Sequence, residues 1–90
     1  MSVKLYIHKT HRQHTDGHDV VDVNGQTIGE CLDDLIVKYP GMRAALFQRK
    51  GNLLNYIEVY LNMESAYPDE LKKPVADGDA IHITLLLAGG

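Results

Sequence analysis

The 90-residue chain contains a single cysteine, Cys31, and no tryptophan. One cysteine excludes an internal disulfide framework and a zinc site built from several thiolates, and it suits a reducing compartment. No apolar segment follows Met1-Ser2-Val3-Lys4, so we expect no signal peptide. The longest apolar run, residues 85–88, is far too short to span a bilayer. These absences predict a cytoplasmic protein with no membrane partner.

The chain also lacks an excess of basic residues. Twelve Asp and Glu face nine Lys and Arg, which gives a formal net charge of −3 with neutral histidines. Binding to a phosphate backbone requires a basic surface, so we expect no nucleic-acid partner. The length allows one domain with one small core. Such a core leaves little room for an enclosed active site, so we do not expect a self-contained enzyme.

Apolar alternation predicts four strands, and one segment has helical spacing. The first hairpin is expected to carry a long polar loop at residues 9–17, and residues 63–73 to form an irregular crossover. Thr27 and Glu30 predict a capping box at the start of the helix, and Pro40-Gly41 stops it. A short helical turn is expected at residues 41–47. The predicted strands are residues 3–8, 18–23, 53–62 and 80–87, and the predicted helix spans residues 28–39.

The order of these elements restricts the topology. One helix after a hairpin must cover one face of the sheet. The last strand is the most apolar and is expected at the centre, parallel to the first strand through a right-handed crossover. The predicted fold class is therefore α+β, a β-grasp (ubiquitin-like) domain. It has a mixed four- to five-stranded sheet and one main helix packed on one face. We assign residues 1–87 to this domain and residues 88–90 to a flexible Ala-Gly-Gly tail.

The sequence ends in Gly89-Gly90, directly after the predicted central strand. Two residues without Cβ form a slim arm that can enter a narrow cleft of a partner. The arm carries an unhindered carboxylate. A carboxylate is a poor acyl donor until ATP converts its oxygen into a leaving group, after which a sulfur or amine nucleophile can take the acyl group. The alternative interpretation from the tail alone is a frayed terminus without a role.

Four segments together resemble the ThiS/MoaD family of ubiquitin-like sulfur carriers, and the likeness covers nearly all of the chain. The most specific combination is the Pro-x-x-Asp-Gly-Asp turn one strand before a terminal Gly-Gly. Two features depart from the family pattern: Leu87 stands where many members have Val, and residues 62–67 lack an Asn-Gly. The segments are residues 38–43 (Lys-Tyr-Pro-Gly-Met-Arg), 60–62 (Tyr-Leu-Asn), 74–81 (Pro-Val-Ala-Asp-Gly-Asp-Ala-Ile) and 87–90 (Leu-Ala-Gly-Gly).

The resemblance implies that the chain is a protein cosubstrate. A ubiquitin-activating-type adenylyltransferase would adenylate Gly90, and sulfur would then replace AMP to give a thiocarboxylate for a sulfur-accepting biosynthetic enzyme. Gly89, Ala88, Leu87 and Leu86 would form the tail and the partner-docking segment, with Leu86 exposed. This chain lacks a phosphate-cradling glycine loop, so ATP and Mg²⁺ would be bound by the activating partner and no cofactor by this chain. We expect a monomer when the protein is alone.

The client pathway and two other functional classes stay open. A carrier for amino-acid biosynthesis is slightly favoured by residues 38–43 and 74–79. The alternatives are the small subunit of molybdopterin synthase, a thiamine-pathway carrier, a ubiquitin-like modifier joined to lysines through Gly90, and a binding module with an inert tail.

Three further groups of residues have simpler explanations. The histidines of the first hairpin match no standard metal-site spacing and indicate a solvated polar loop, so no metal site is predicted. Cys31 lies on the apolar helix face and indicates core packing. Tyr6, Tyr56 and Tyr60 are expected on the outer sheet face, either for docking or for cross-strand packing, and His8 and His82 are expected to share that face. The hairpin histidines are His8, His11, His14 and His18.

Overall fold

The computed structural model describes residues 2–86 as one sheet with helices packed against it. Two short 3₁₀ helices, Lys9–His14 and Glu70–Lys72, lie in the connections. The remaining elements are β1 (Val3–Tyr6), β2 (Val20–Val23), α1 (Ile28–Lys38), α2 (Met42–Leu46), β3 (Ile57–Leu61), β4 (Glu64–Ser65) and β5 (Ala80–Leu85).

The sheet has five strands in the order β2-β1-β5-β3-β4. β5 lies at its centre, parallel to β1 and antiparallel to β3. Its inward residues, Ile81 and Ile83, are buried, which explains why the most apolar strand takes the central position. The β-grasp prediction, including the parallel pairing of the first and last strands, is confirmed.

The sequence signals at both ends of α1 are confirmed with one change. The Thr27 hydroxyl accepts a hydrogen bond from the Glu30 N–H at 3.1 Å. In a standard capping box, the carboxylate would accept from the N–H of the N-cap residue itself, Thr27. Here the Glu30 carboxylate accepts from the N–H of the preceding residue, Gln26, at 3.0 Å. The helix ends at Lys38, two residues before Pro40. Its buried stripe consists of Ile28, Cys31, Leu32, Leu35 and Ile36.

The free edge of β2 is covered by side chains from α1. The Lys38 ammonium donates to the Asp22 carbonyl at 2.8 Å and to the Asp34 carboxylate at 3.0 Å. Asp34 also accepts from the Asn24 N–H at 2.9 Å. The Asn24 hydrogen bond is the main reason why the pKa of Asp34 lies below its usual value, with Lys38 adding to the effect. Helix and sheet edge are thus joined by a charged network.

The predicted polar loop at residues 9–17 is partly wrong, because residues Lys9–His14 form a 3₁₀ helix. The His8 ring accepts from the Thr10 N–H at its start. His11 is only 7% exposed, and its Nδ1 has no hydrogen-bond partner among residues 2–86. A polar segment without apolar periodicity gives no signal for such burial.

The first residues after β3 form a tight hairpin, so the prediction of an irregular crossover at residues 63–73 is wrong at its start. Residues 66–69 belong to no helix or strand, as expected. Asn62 and Met63 both have positive φ angles, 51° and 71°, and they join β3 to β4. Two consecutive left-handed residues are typical of a type I′ turn, which favours Asn-Gly. Here Met63 stands at the glycine position and is exposed. Because the sequence has Asn-Met instead of Asn-Gly at this turn, it gives no signal for the hairpin that contains β4.

Replacing Met63 by Gly should stabilise the fold. A side chain in the left-handed region costs roughly 1–2 kcal/mol, and the greater freedom of glycine when unfolded offsets roughly half of that gain. We expect about 0.5 kcal/mol more stability in urea denaturation. The control, Val37→Gly on the exposed face of α1, should instead lose about 0.3 kcal/mol, because Gly is a poorer helix former than Val. A Met63→Gly variant that is clearly less stable than wild type would contradict the turn assignment.

His11 should make stability depend on pH. Burial lowers its pKa below the ordinary value, and the nearby charges of His8 and His14 lower it further. The folded state therefore favours the neutral ring. Above the unfolded pKa of about 6.5, the ring is neutral in both states and its burial costs no stability. As pH falls below that value, the unfolded chain takes up a proton more readily than the folded chain, and the free energy of unfolding decreases. Urea denaturation of wild type and His11→Gln between about pH 7 and pH 5 should give a flatter profile for the variant; parallel profiles would refute this assignment.

Candidate functional site

The segment that leads to the C-terminus leaves the sheet beside β3. The Leu86 N–H donates to the Tyr56 carbonyl at 2.7 Å, and this bond continues the register that pairs Leu85 with Ile57. The backbone is therefore held by the sheet as far as Leu86. We call the pair Leu86 and Tyr56 the exit point.

The exit point is apolar and open. The Leu86 side chain is 53% exposed and that of Tyr56 is 49% exposed. The prediction that Leu86 points outward agrees with this geometry, although no docking role follows from exposure alone. The other predicted site residues, Leu87, Ala88, Gly89 and Gly90, lie outside the described residues.

The Pro-x-x-Asp-Gly-Asp turn lies at the opposite end of β5 from the exit point. The Asp79 carboxylate accepts from the Ala76 N–H at 2.8 Å and from the Asn62 side-chain amide at 3.1 Å. These hydrogen bonds, with Ala76 first, lower the pKa of Asp79. The Asn62 side-chain oxygen accepts from the Ala80 N–H at 2.9 Å. The turn and Asn62 therefore position the start of the central strand.

The N-terminus is tied to the same turn. The Ser2 N–H donates to the Asp77 carboxylate at 2.7 Å, and the Gly78 N–H donates to the Ser2 carbonyl at 2.9 Å. Gly78 has a φ of +88°, a conformation that favours glycine. The most specific family motif of the sequence thus has a structural role, roughly 20 Å along the strand from the exit point.

The outer face of the sheet carries the predicted aromatic residues. Tyr6 stacks on His82 with ring centroids 4.3 Å apart and planes 2° from parallel. Tyr60 is the register partner of His82 on the other side. The register places Tyr6 directly beside His82, and β1 ends at Tyr6, so His8 lies outside the paired strand. His8 instead caps the first 3₁₀ helix.

The remaining candidate groups form no reactive centre in the described part of the chain. Within residues 2–86 no three His, Cys, Asp or Glu side chains are grouped so as to hold a metal ion. The Cys31 thiol is buried in the core, and burial is the main reason why its pKa is raised, with Asp34 and Glu30 adding to the effect. A thiol with a raised pKa is a weak nucleophile. Among residues 2–86, no helix has the length and apolar character needed to cross a membrane.

A groove that sequence reasoning missed runs beside the exit point. Its volume is about 560 Å³, and Leu86 lines one end of it. Three separate stretches of the chain form its walls: residues 52–59, residues 65–72 and Leu86. No sequence pattern joins such distant stretches, so nothing in the sequence indicated the groove.

A β-grasp sheet whose central strand leads to an exposed exit point defines a ubiquitin-like protein. A comparison with descriptions of known protein families found no match. The chain is 32% identical to the sulfur carrier protein CysO of Mycobacterium tuberculosis over 93 aligned residues, covering 100% of both proteins. It is 34% identical over 71 residues to small archaeal modifier protein 1 of Haloferax volcanii, covering 78% of each.

A solved structure agrees with these relatives. A chain of the crystal structure of the Amycolatopsis orientalis BexX/CysO complex matches with a TM-score of 0.88 and 34% identity, covering 98% of this chain and 99% of that one. The chain therefore belongs to the ThiS/MoaD family of ubiquitin-like sulfur carriers. It is a small sulfur carrier protein rather than an enzyme.

Replacing Asn62 by Ala should weaken the start of β5 without disturbing the exit point. The variant loses two side-chain hydrogen bonds and places Ala at a φ of 51°, a left-handed conformation that Asn tolerates better. We therefore expect a stability loss of about 2–3 kcal/mol. Hydrogen exchange followed by NMR should show faster exchange at Ala80 under native conditions. Exchange at the Leu86 amide should become faster only to the extent that the global stability of the variant is reduced. Selective loss of protection at Leu86 would show that the two ends of the strand are coupled.

Proposed function

We propose that Gly90 is the reactive terminus and that this carrier serves amino-acid biosynthesis. The observation that carries the proposal is the full-length relation to sulfur carrier proteins together with the terminal Gly89-Gly90. The CysO relatives and the BexX/CysO complex favour the amino-acid type and a biosynthetic enzyme as the sulfur acceptor. The protein acts in the cytoplasm as a monomer between encounters.

The chemistry begins at the Gly90 carboxylate. One of its oxygens attacks the α-phosphorus of ATP, pyrophosphate leaves, and an acyl-adenylate forms. Sulfide then attacks the acyl carbon and AMP leaves with the electron pair of the broken C–O bond. Loss of the thiol proton gives the thiocarboxylate. Glycine suits these steps because no side chain shields the acyl carbon.

The described residues support this scheme through the exit point. The Leu86–Tyr56 hydrogen bond fixes where the last residues leave the sheet, and the exposed Leu86 offers a first apolar contact to a partner. Leu87, Ala88 and Gly89 then span the distance to the partner's active site. ATP and Mg²⁺ are bound by a ubiquitin-activating-type adenylyltransferase, and this chain binds no cofactor of its own.

Intact-mass analysis tests the reaction. The protein is incubated with ATP, Mg²⁺, sulfide and a ubiquitin-activating-type adenylyltransferase that is active on a known sulfur carrier. A thiocarboxylate-selective alkylating probe should label the product, and fragmentation should locate the label on Gly90. The probe is needed because replacement of oxygen by sulfur and oxidation of a methionine have nearly equal masses.

Deletion of Gly90 is the matched control. The variant should keep the stability of wild type, since it retains every core residue and strand pairing of residues 2–86, and it should give no labelled product. An unlabelled wild-type terminus, with the same enzyme preparation active on the other carrier, would refute the proposal.

A second candidate, protein modification through Gly90, is favoured by the likeness to small archaeal modifier protein 1. In this reaction a lysine amine, instead of sulfide, attacks the acyl-adenylate. Extracts of the source organism should then contain a ladder of higher-mass adducts that react with an antibody to this protein. The ladder should vanish in a strain that carries the Gly90 deletion, and its absence in wild-type cells would rule out this function.

A further inference from the structure

The groove beside the exit point has an apolar floor. Leu53, Leu54 and Leu71 line it, and each is partly buried against the hydrophobic core. Leu86 belongs both to the groove and to the exit point. A partner that reaches the last residues of the chain therefore meets this groove as part of the same surface.

The rim of the groove is acidic. Glu58, Asp69 and Glu70 line it, with Lys72 as the one basic residue among the described lining. The two ion pairs formed within residues 2–86 are Lys4–Asp22 and Lys38–Asp34, so none of the three rim carboxylates takes part in an ion pair there. The Glu58 carboxylate accepts a hydrogen bond from the Thr84 hydroxyl at 3.4 Å, whereas within residues 2–86 the carboxylates of Asp69 and Glu70 accept none. A neutral or acidic segment placed in the groove would desolvate these carboxylates without compensation.

An exposed aromatic side chain lies on the same rim. Tyr67 lines the groove and is 76% exposed. Exposed aromatic residues supply much of the binding energy of protein interfaces when a partner covers them. The groove thus combines an apolar floor, an aromatic side chain and negative charge.

We propose that this groove docks a segment of the activating enzyme that carries an apolar side chain next to a Lys or Arg. The apolar side chain is buried against the leucines of the floor, and the basic group pairs with the rim carboxylates. Docking beside Leu86 aligns the last residues with the enzyme's ATP site. This inference rests on the proposed function, because it assigns a partner to the same terminus.

Charge reversal tests the electrostatic part of the inference. A double variant, Glu58→Lys with Glu70→Lys, reverses two rim charges. Its control, Asp33→Lys with Asp19→Lys, makes the same change in net charge at exposed positions that do not line the groove. Affinity for the adenylyltransferase is measured by calorimetry without ATP at low and physiological salt, after thermal denaturation has shown both variants folded.

The rim variant should bind at least about tenfold more weakly than its control, with a smaller loss of affinity on adding salt. Equal affinities and equal salt dependence for the two double variants would overturn the inference.

Removal of the aromatic side chain tests the contact without changing charge. Tyr67→Ser should weaken binding about tenfold. Val37→Ser is its control, because Val37 is 78% exposed on α1 and does not line the groove. Equal affinities of Tyr67→Ser and Val37→Ser would also overturn the inference. So would a concentration-dependent dimer that the rim variant abolishes, because the groove would then bind a second copy of this chain.

The outcomes separate this inference from the proposed function. If wild type is thiocarboxylated and the groove variants bind like their controls, the groove inference fails and the proposed function stands. If an enzyme that is active on another carrier leaves wild-type Gly90 unlabelled, the proposed function fails and the assignment of this groove to that enzyme fails with it.

Discussion

The pairing of β5 between β1 and β3 is the constraint on which the rest of this structure depends. The strand is parallel to one neighbour and antiparallel to the other, so a single run of residues joins the two halves of the sheet. A parallel pairing of the first and last strands requires a long connection, and the helices lie in it. Because the strand is held on both sides, its two ends have fixed positions and can carry different roles.

The start of β5 carries a structural role, and its end leads toward the proposed reactive terminus. Asn62 and Asp79 bind the backbone at the start, so the residues that most strongly suggested the family serve the fold. At the other end, the exit point is held by the hydrogen bond from the Leu86 N–H to the Tyr56 carbonyl. The proposed chemistry at Gly90 would thereby be separated from the hydrogen bonds of Asn62 and Asp79 that hold the start of the strand.

The sequence predicted those features that depend on neighbouring residues. Alternation identified β5, and Thr27 with Glu30 identified the start of α1, because both signals repeat within a few positions. β4 was missed since Met63 replaced the glycine that signals its turn. The burial of His11 was missed because its neighbours are polar. The groove gave no sequence signal because its walls come from distant segments, so only the folded chain shows it.

The charged network between α1 and β2 also protects an edge of the sheet. An exposed sheet edge offers unpaired backbone groups to any other extended chain and so invites aggregation. On β2 the Asp22 carbonyl is held by Lys38 and the neighbouring Asn24 N–H by Asp34. The opposite edge, β4, is two residues long. An intruding strand would first have to displace the hydrogen bonds that Lys38 and Asp34 make to the backbone on one side, and it would find only two strand residues to pair with on the other.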